Sequence, residues 1–203
     1  MKANCGTQFL WSTLKQICLI ITLALPAARG NTADASIIVS DPGSTPQITQ
    51  INRDGSIRII SSGGLLQTPR GIGVDGNGDI LVVDQSALLL LRIDPLNGSQ
   101  SIVSSGGFFD SPSQFAIEAS GQIIVADTFQ GNGLIRVEPV TGGQTVVSSF
   151  GLFSDPKDVA IDAGGDLIVA DAMNGIIRVD PITGGQSLIA SSVGPTGGDI
   201  RHF

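Results

Sequence analysis

The stretch DPKDVAIDAGGDLIVADAMNGIIRVD, residues 155–180, decides how this chain folds, because it is one of three variants of a single pattern. Its opening, Asp155-Pro-Lys-Asp-Val-Ala-Ile-Asp162, aligns with Thr68-Pro-Arg-Gly-Ile-Gly-Val-Asp75 and Ser111-Pro-Ser-Gln-Phe-Ala-Ile-Glu118. Pro69, Pro112 and Pro156 stand 43 and 44 residues apart. The same spacing separates Ile80-Leu-Val-Val-Asp84, Ile123-Ile-Val-Ala-Asp127 and Leu167-Ile-Val-Ala-Asp171. A third landmark, Arg92-Ile-Asp-Pro95, Arg136-Val-Glu-Pro139 and Arg178-Val-Asp-Pro181, recurs after 44 and 42 residues. Three landmarks on one period of this length mark a repeat architecture.

Each unit holds four apolar, β-branched runs, punctuated by Gly, Asn, Asp, Pro and Ser, and none sustains a helical period. The runs are strands a, b, c and d. The a–b turns read Asp75-Gly-Asn-Gly-Asp79, Glu118-Ala-Ser-Gly-Gln122 and Asp162-Ala-Gly-Gly-Asp166; the c–d turns carry Asn97-Gly98, Thr141-Gly-Gly143 and Thr183-Gly-Gly185. Both sets supply the positive φ that tight hairpins need. Strand a keeps a small residue at one place, Gly73, Ala116 or Ala160, as crowding near a central axis would demand. Four antiparallel strands per 40-odd residues is the arithmetic of a β-propeller blade.

The ends extend the pattern. Ser36-Ile-Ile-Val-Ser-Asp41 matches strand b, Thr49 to Asn52 takes the place of strand c, and Ser56 to Ser61 that of strand d. Read this way, the repeat begins in mid-blade without a first strand a. Pro195 to Phe203 stands where the next strand a would begin. The expected fold is all-β, a propeller of about four blades of four antiparallel strands. The blades fall near residues 36–62, 69–105, 112–149 and 156–192, with 195–203 available as a closing strand. Three forms fit: a closed small ring, an open arc whose apolar end faces pair with a second copy, or a fragment of a larger propeller.

Residues 1–30 have a different character. They hold Cys5, Cys18 and Trp11, the basic residues Lys2, Lys15 and Arg29, and no acid. Ile17 to Leu25 form a short apolar core, Pro26 breaks it, and Ala27, Ala28 and Gly30 offer small residues for cleavage. This is the pattern of a secretory signal, and its nine-residue apolar core falls short of the roughly 20 residues that span a bilayer. A secreted or periplasmic location follows. Residues 31–203 then carry eight Lys and Arg against 18 Asp and Glu, and no cysteine. That composition excludes a disulfide scaffold and a thiolate metal site. It also argues against nucleic-acid binding, which needs a basic surface.

Proline before strand a, Val-Ala-Asp closing strand b, and an Asn or Gly loop before Ile-Arg-Val resemble the NHL-repeat propellers. The wider superfamily includes the six-bladed SMP-30/gluconolactonase-like proteins. The best single match is Asp171-Ala-Met-Asn-Gly-Ile-Ile-Arg178, and the resemblance runs from Ser36 to about Ser192. It implies a propeller that serves as a protein-interaction platform, or a lactonase, lyase or hydrolase. The chain departs from the pattern in blade number and in its barely decorated repeats.

Candidate sites follow from the strand order, which puts the b–c and d–a connections on one face. The strand-b ends, Asp41, Asp84, Asp127 and Asp171, lie near that face. Converging carboxylates there would suit a hard cation such as Ca2+; the alternative is that each Asp caps its own b–c loop. Asp75 to Asp79 imitates the start of an EF-hand loop, but Ile80 and Ser86 stand where Gly and a bidentate acid are required, so it reads as a hairpin turn. Arg92, Arg136 and Arg178 each precede an acid by two residues, Asp94, Glu138 and Asp180, which favours ion pairing. The variable b–c loops, with Phe129 and Leu88 to Leu91, are where specificity would sit. His202 is the one histidine and adjoins the C-terminus, so no catalytic constellation is visible and no cofactor beyond Ca2+ is implied. The expected function is binding of a protein or small molecule on the b–c/d–a face, with a homodimer if the ring is open; the alternatives are a calcium-assisted lactonase or hydrolase of the SMP-30-like type, or a non-functional fragment of a longer propeller.

Overall fold

Short β-branched runs separated by turn residues leave strand pairing as the one regular structure open to this chain. The computed structural model describes residues 18–24, 35–128 and 133–191, and the described residues form 16 strands with no helix. They make four antiparallel four-stranded sheets, each in sequential order. The first holds β1 (Cys18–Ala24), β2 (Ala35–Asp41), β3 (Gln47–Ile51) and β4 (Ile57–Ser62). The second holds β5 (Pro69–Val74), β6 (Ile80–Asp84), β7 (Leu89–Ile93) and β8 (Gln100–Ser105). The third comprises β9 (Pro112–Ile117), β10 (Ile123–Asp127), β11 (Gly133–Val137) and β12 (Gln144–Ser149). The fourth comprises β13 (Pro156–Ile161), β14 (Leu167–Asp171), β15 (Gly175–Val179) and β16 (Gln186–Ala190). The three aligned repeats are therefore one sheet each.

One difference lies in the first sheet. The place of strand a, empty in the sequence reading, is taken by β1, which pairs antiparallel with β2 from Cys18 opposite Ser40 to Ala24 opposite Ala35. Ile and Leu suit a strand as well as they suit the core of a signal, so the run carries both readings. Residues 195–203, expected as a closing strand, lie outside the described residues.

The strands a of successive sheets are neighbours, β1 beside β5, β5 beside β9, and β9 beside β13, so they line a common axis. Period-2 alternation gives every sheet two apolar faces. One face of β6 and β7 (Ile80, Val82, Leu91, Ile93) packs on Ile38, Ile48 and Ile60 of the first sheet. The other face (Leu81, Val83, Leu90) packs on Ile123, Val125, Ile135 and Val137 of the third. Ile124, Ala126 and Leu134 then meet Leu167, Val169, Ile177 and Val179 of the fourth. Fully burying one such side chain contributes roughly 1.5–3 kcal/mol, so the core is the sum of these sheet-on-sheet seams. Leu90 and Leu91 are fully buried, so the second half of the leucine run is core, with Leu88 and Leu89 partly buried against it.

A second set of contacts ties each sheet to the next. Gln100 Nε2 donates to Ser61 Oγ at 2.9 Å and to Gly63 O at 3.0 Å, while its Oε1 accepts from Leu65 N at 2.7 Å. Gln144 repeats this with Ser104, Gly106 and Phe108, and Gln186 with Ser148, Phe150 and Leu152. Each of those serines donates to the carbonyl of a c–d turn glycine in the next sheet, Gly98, Gly142 or Gly184. Leu66, Phe109 and Phe153, buried from the d–a loops, complete each junction. These clamps orient the loops that follow.

Candidate functional site

The site begins at the strand-b aspartates. Asp84 is fully buried and accepts from the backbone amides of Gln67 (2.7 Å), Thr68 (2.9 Å) and Ala87 (3.0 Å). It thus ties a d–a loop to a b–c loop. Asp127 accepts from Asp110 N and Ser111 N, and Asp171 from the amides of Ser154, Asp155, Met173 and Asn174. Asp41, less buried, accepts from Gly43 N and Gln47 Nε2. Each carboxylate is directed at its own loops. Among the described residues no group of three or more His, Cys, Asp or Glu is placed to hold a metal ion.

The arginines pair with different acids from those adjacent in sequence. Arg92 reaches Asp75 (3.4 Å) and Asp79 (3.5 Å), Arg136 reaches Glu118 (2.8 Å), and Arg178 reaches Asp162 and Asp166 (both 3.6 Å). All five acids belong to the a–b turns, which strand b brings alongside strand c. Asp94, Glu138 and Asp180 instead accept amides of the c–d turns. Hydrogen bonds from Thr141 hold the Glu138 carboxyl below its ordinary value, and the amides of Thr183 and Ile182 do the same for Asp180. These are turn locks. The Asp75 turn is likewise a hairpin, with Asp75 Oδ1 accepting from Asn77 N and Asp79 N.

Where, then, does the frame stop repeating? The first two residues after the strand-a proline are Arg70-Gly71, Ser113-Gln114 and Lys157-Asp158. They open β5, β9 and β13 at the end of the axis that the aspartate-tied loops surround. The sequence reading placed the variation in the b–c loops; this position varies as well. Arg70 Nε donates to Gln85 Oε1 at 3.1 Å, and Gln85 Nε2 reaches Ser111 Oγ at 2.8 Å. Lys157 pairs with Asp155, and Ser113 Oγ donates to Lys157 O at 2.8 Å. Gln114 and Asp158 are buried. A Cβ on Gly71 would lie 2.9 Å from Gln114 Oε1, so the neighbouring strands close up at this level. The mouth therefore carries Arg70, Lys157 with its partner Asp155, the Ser113 hydroxyl, and the buried Gln114 and Asp158 side chains. Such a set recognises polar or acidic groups by hydrogen bonding and charge. Phe129, expected to contribute, lies outside the described residues.

Solved structures share the arrangement of the sheets. A nidogen/laminin complex matches with a TM-score of 0.66 at 16% identity, covering 74% of this chain and 59% of that one. Virginiamycin B lyase from Staphylococcus aureus, in a catalytically inactive form with quinupristin, matches at 0.64 and 16% identity, over 84% and 54% of the two chains. A candidate gluconolactonase matches at 0.63 and 16%, over 77% and 59%. The chain folds as β-propeller blades. The propeller spans a little over half the length of each of these three structures, and at such identity the likeness is one of fold. No family model and no curated protein matches the sequence.

Proposed function

We propose that this propeller is an exported binding module that takes an acidic or polar segment of a partner protein at the mouth formed by the starts of β5, β9 and β13. The carrying observation is the contrast between a frame that repeats and the changing pairs Arg70-Gly71, Ser113-Gln114 and Lys157-Asp158. Arg70 and Lys157 supply charge, and Ser113 a hydroxyl, on strands held by the aspartate caps. The strand-b aspartates serve as caps in this reading, with no bound Ca2+ required.

An immobilised array of acidic and neutral peptides tests it. The wild-type chain is expected to retain acidic peptides, and Arg70→Glu with Lys157→Glu to lose them at least tenfold. Leu96→Ser and Ile182→Ser, at exposed c–d turn tips on the opposite face, should bind as wild type. Equal loss in both pairs of variants would refute the mouth as the site.

Export is supported by the basic, apolar and small-residue order of residues 1–30. Intact-mass measurement of protein recovered outside the cytoplasm should then give Arg29 or Asn31 as the first residue. Processing there would remove β1 and leave one edge of β2 unpaired. Recovery of the chain with Met1 retained would contradict the export reading and favour β1 as a permanent strand.

A further inference from the structure

The three internal junctions share one chemistry, and the two outer faces of the four-blade array lack it. At each internal junction a glutamine opening strand d clamps a serine in strand d of the preceding blade. In the first blade the register places Ile57 where the others have Gln100, Gln144 and Gln186. In the last blade Ala190 stands in place of Ser61, Ser104 and Ser148. Both halves of the polar clamp have been replaced by apolar side chains, and Ile57 is 68% exposed. The c–d turn of the first blade, Asn52 to Ser56, is also one residue shorter than its three counterparts.

The same faces expose the apolar positions that other blades bury. Ile189 is 51% exposed, whereas Ile60, its counterpart in the first blade, is buried under the next blade. Ile168 and Ile176 are half-buried, and their counterparts Ile124 and Leu134 are fully buried. On the first blade Ile37, Val39 and Ile51 are half-buried, against Ile80, Val82 and Ile93 fully buried in the second. One face is the incoming half of a seam and the other the outgoing half. The paired loss of Gln and Ser fits them to each other: a glutamine against Ala190, or a serine against Ile57, would leave a polar group unmatched.

We propose that the outgoing face of the fourth blade binds the incoming face of the first blade in a second copy of this chain, through a dry seam of Ile168, Ile176, Ile189 and Ala190 on one side and Ile37, Val39, Ile51 and Ile57 on the other. Two such seams related by a two-fold axis close the assembly as a dimer. The seam continues the sheet-on-sheet packing already present three times within the chain. This inference is independent of the ligand at the mouth.

Light scattering on the full 203-residue chain should give twice 20.8 kDa, dissociating on dilution. Ile189→Asp is expected to raise the dissociation constant at least tenfold. A cross-linking arm guards against a variant that merely misfolds. With Cys5 and Cys18 changed to Ser, Ile57→Cys and Ala190→Cys are made in separate chains. Mixed and oxidised, they should yield a disulfide-linked dimer in excess of either alone. A monomer at all concentrations up to about 100 µM, a ladder of higher oligomers, or no excess of the mixed cross-linked dimer would each overturn the proposal.

Discussion

Asp84→Ala is expected to lower the unfolding free energy by about 3 kcal/mol, read from urea denaturation followed by circular dichroism. The side chain is fully buried, and its two oxygens accept three backbone amides from two separate loops. Removing it strands those N–H groups away from water, at about 1–3 kcal/mol for a buried unsatisfied group, with only partial relief from water entry. Asp84→Asn should recover part of the loss, because one carboxamide oxygen can still accept while its NH2 opposes an amide donor. Asp41→Ala provides the contrast: the residue is partly exposed and accepts one amide and one side-chain donor, so about 1 kcal/mol is expected. The experiment also separates a cap from a calcium ligand. A cap loses its contribution in chelator-treated buffer as much as in millimolar calcium. If Asp84→Ala left stability unchanged in chelator and removed only a calcium-dependent increment, the carboxylate would be a ligand.

That contrast shows where the sequence was readable. The period of 43 and 44 residues, the four strands per unit and the turn positions are all local signals, written as alternation and as Gly, Asn and Asp at hairpins. They survive folding because each sheet pairs strands that are adjacent in the chain. Contacts between sheets leave no such mark. Gln100 and Ser61 are 39 residues apart, and nothing in either neighbourhood announces that one clamps the other. The recurrence of Gln at 100, 144 and 186 was a signal available in the repeat, as was the buried position shared by Leu66, Phe109 and Phe153. Arg92 shows the opposite error. Its neighbour Asp94 is close in sequence, but the acids it reaches sit in the a–b turn, which pairing brings alongside strand c. The candidate mouth was missed because a repeat is read for what recurs, while Arg70, Ser113 and Lys157 stand out by differing.

Gly142→Ala should cost about 3 kcal/mol or more, while Gly55→Ala in the matching turn of the first blade should cost about 1–2 kcal/mol. Both glycines have positive φ, +72° and +82°, so both substitutions meet the left-handed backbone penalty. Only one meets a neighbour. A Cβ on Gly142 would lie 2.3 Å from Val103 O, a backbone atom of the preceding blade, whereas nothing lies within 4 Å of one on Gly55. A flexible side chain could swing away; a carbonyl in a paired strand cannot. Relief requires the blades to part at the point where Ser104 Oγ donates to Gly142 O at 2.8 Å, so the clamp and the seam beneath it loosen together. Hydrogen exchange should therefore quicken in β8 and β12 for Gly142→Ala and stay confined to the turn and its flanking strands for Gly55→Ala. Equal costs for the two variants would mean that the c–d glycines serve turn geometry alone. The blades would then be held by apolar burial, without the close backbone approach that Gly98, Gly142 and Gly184 share.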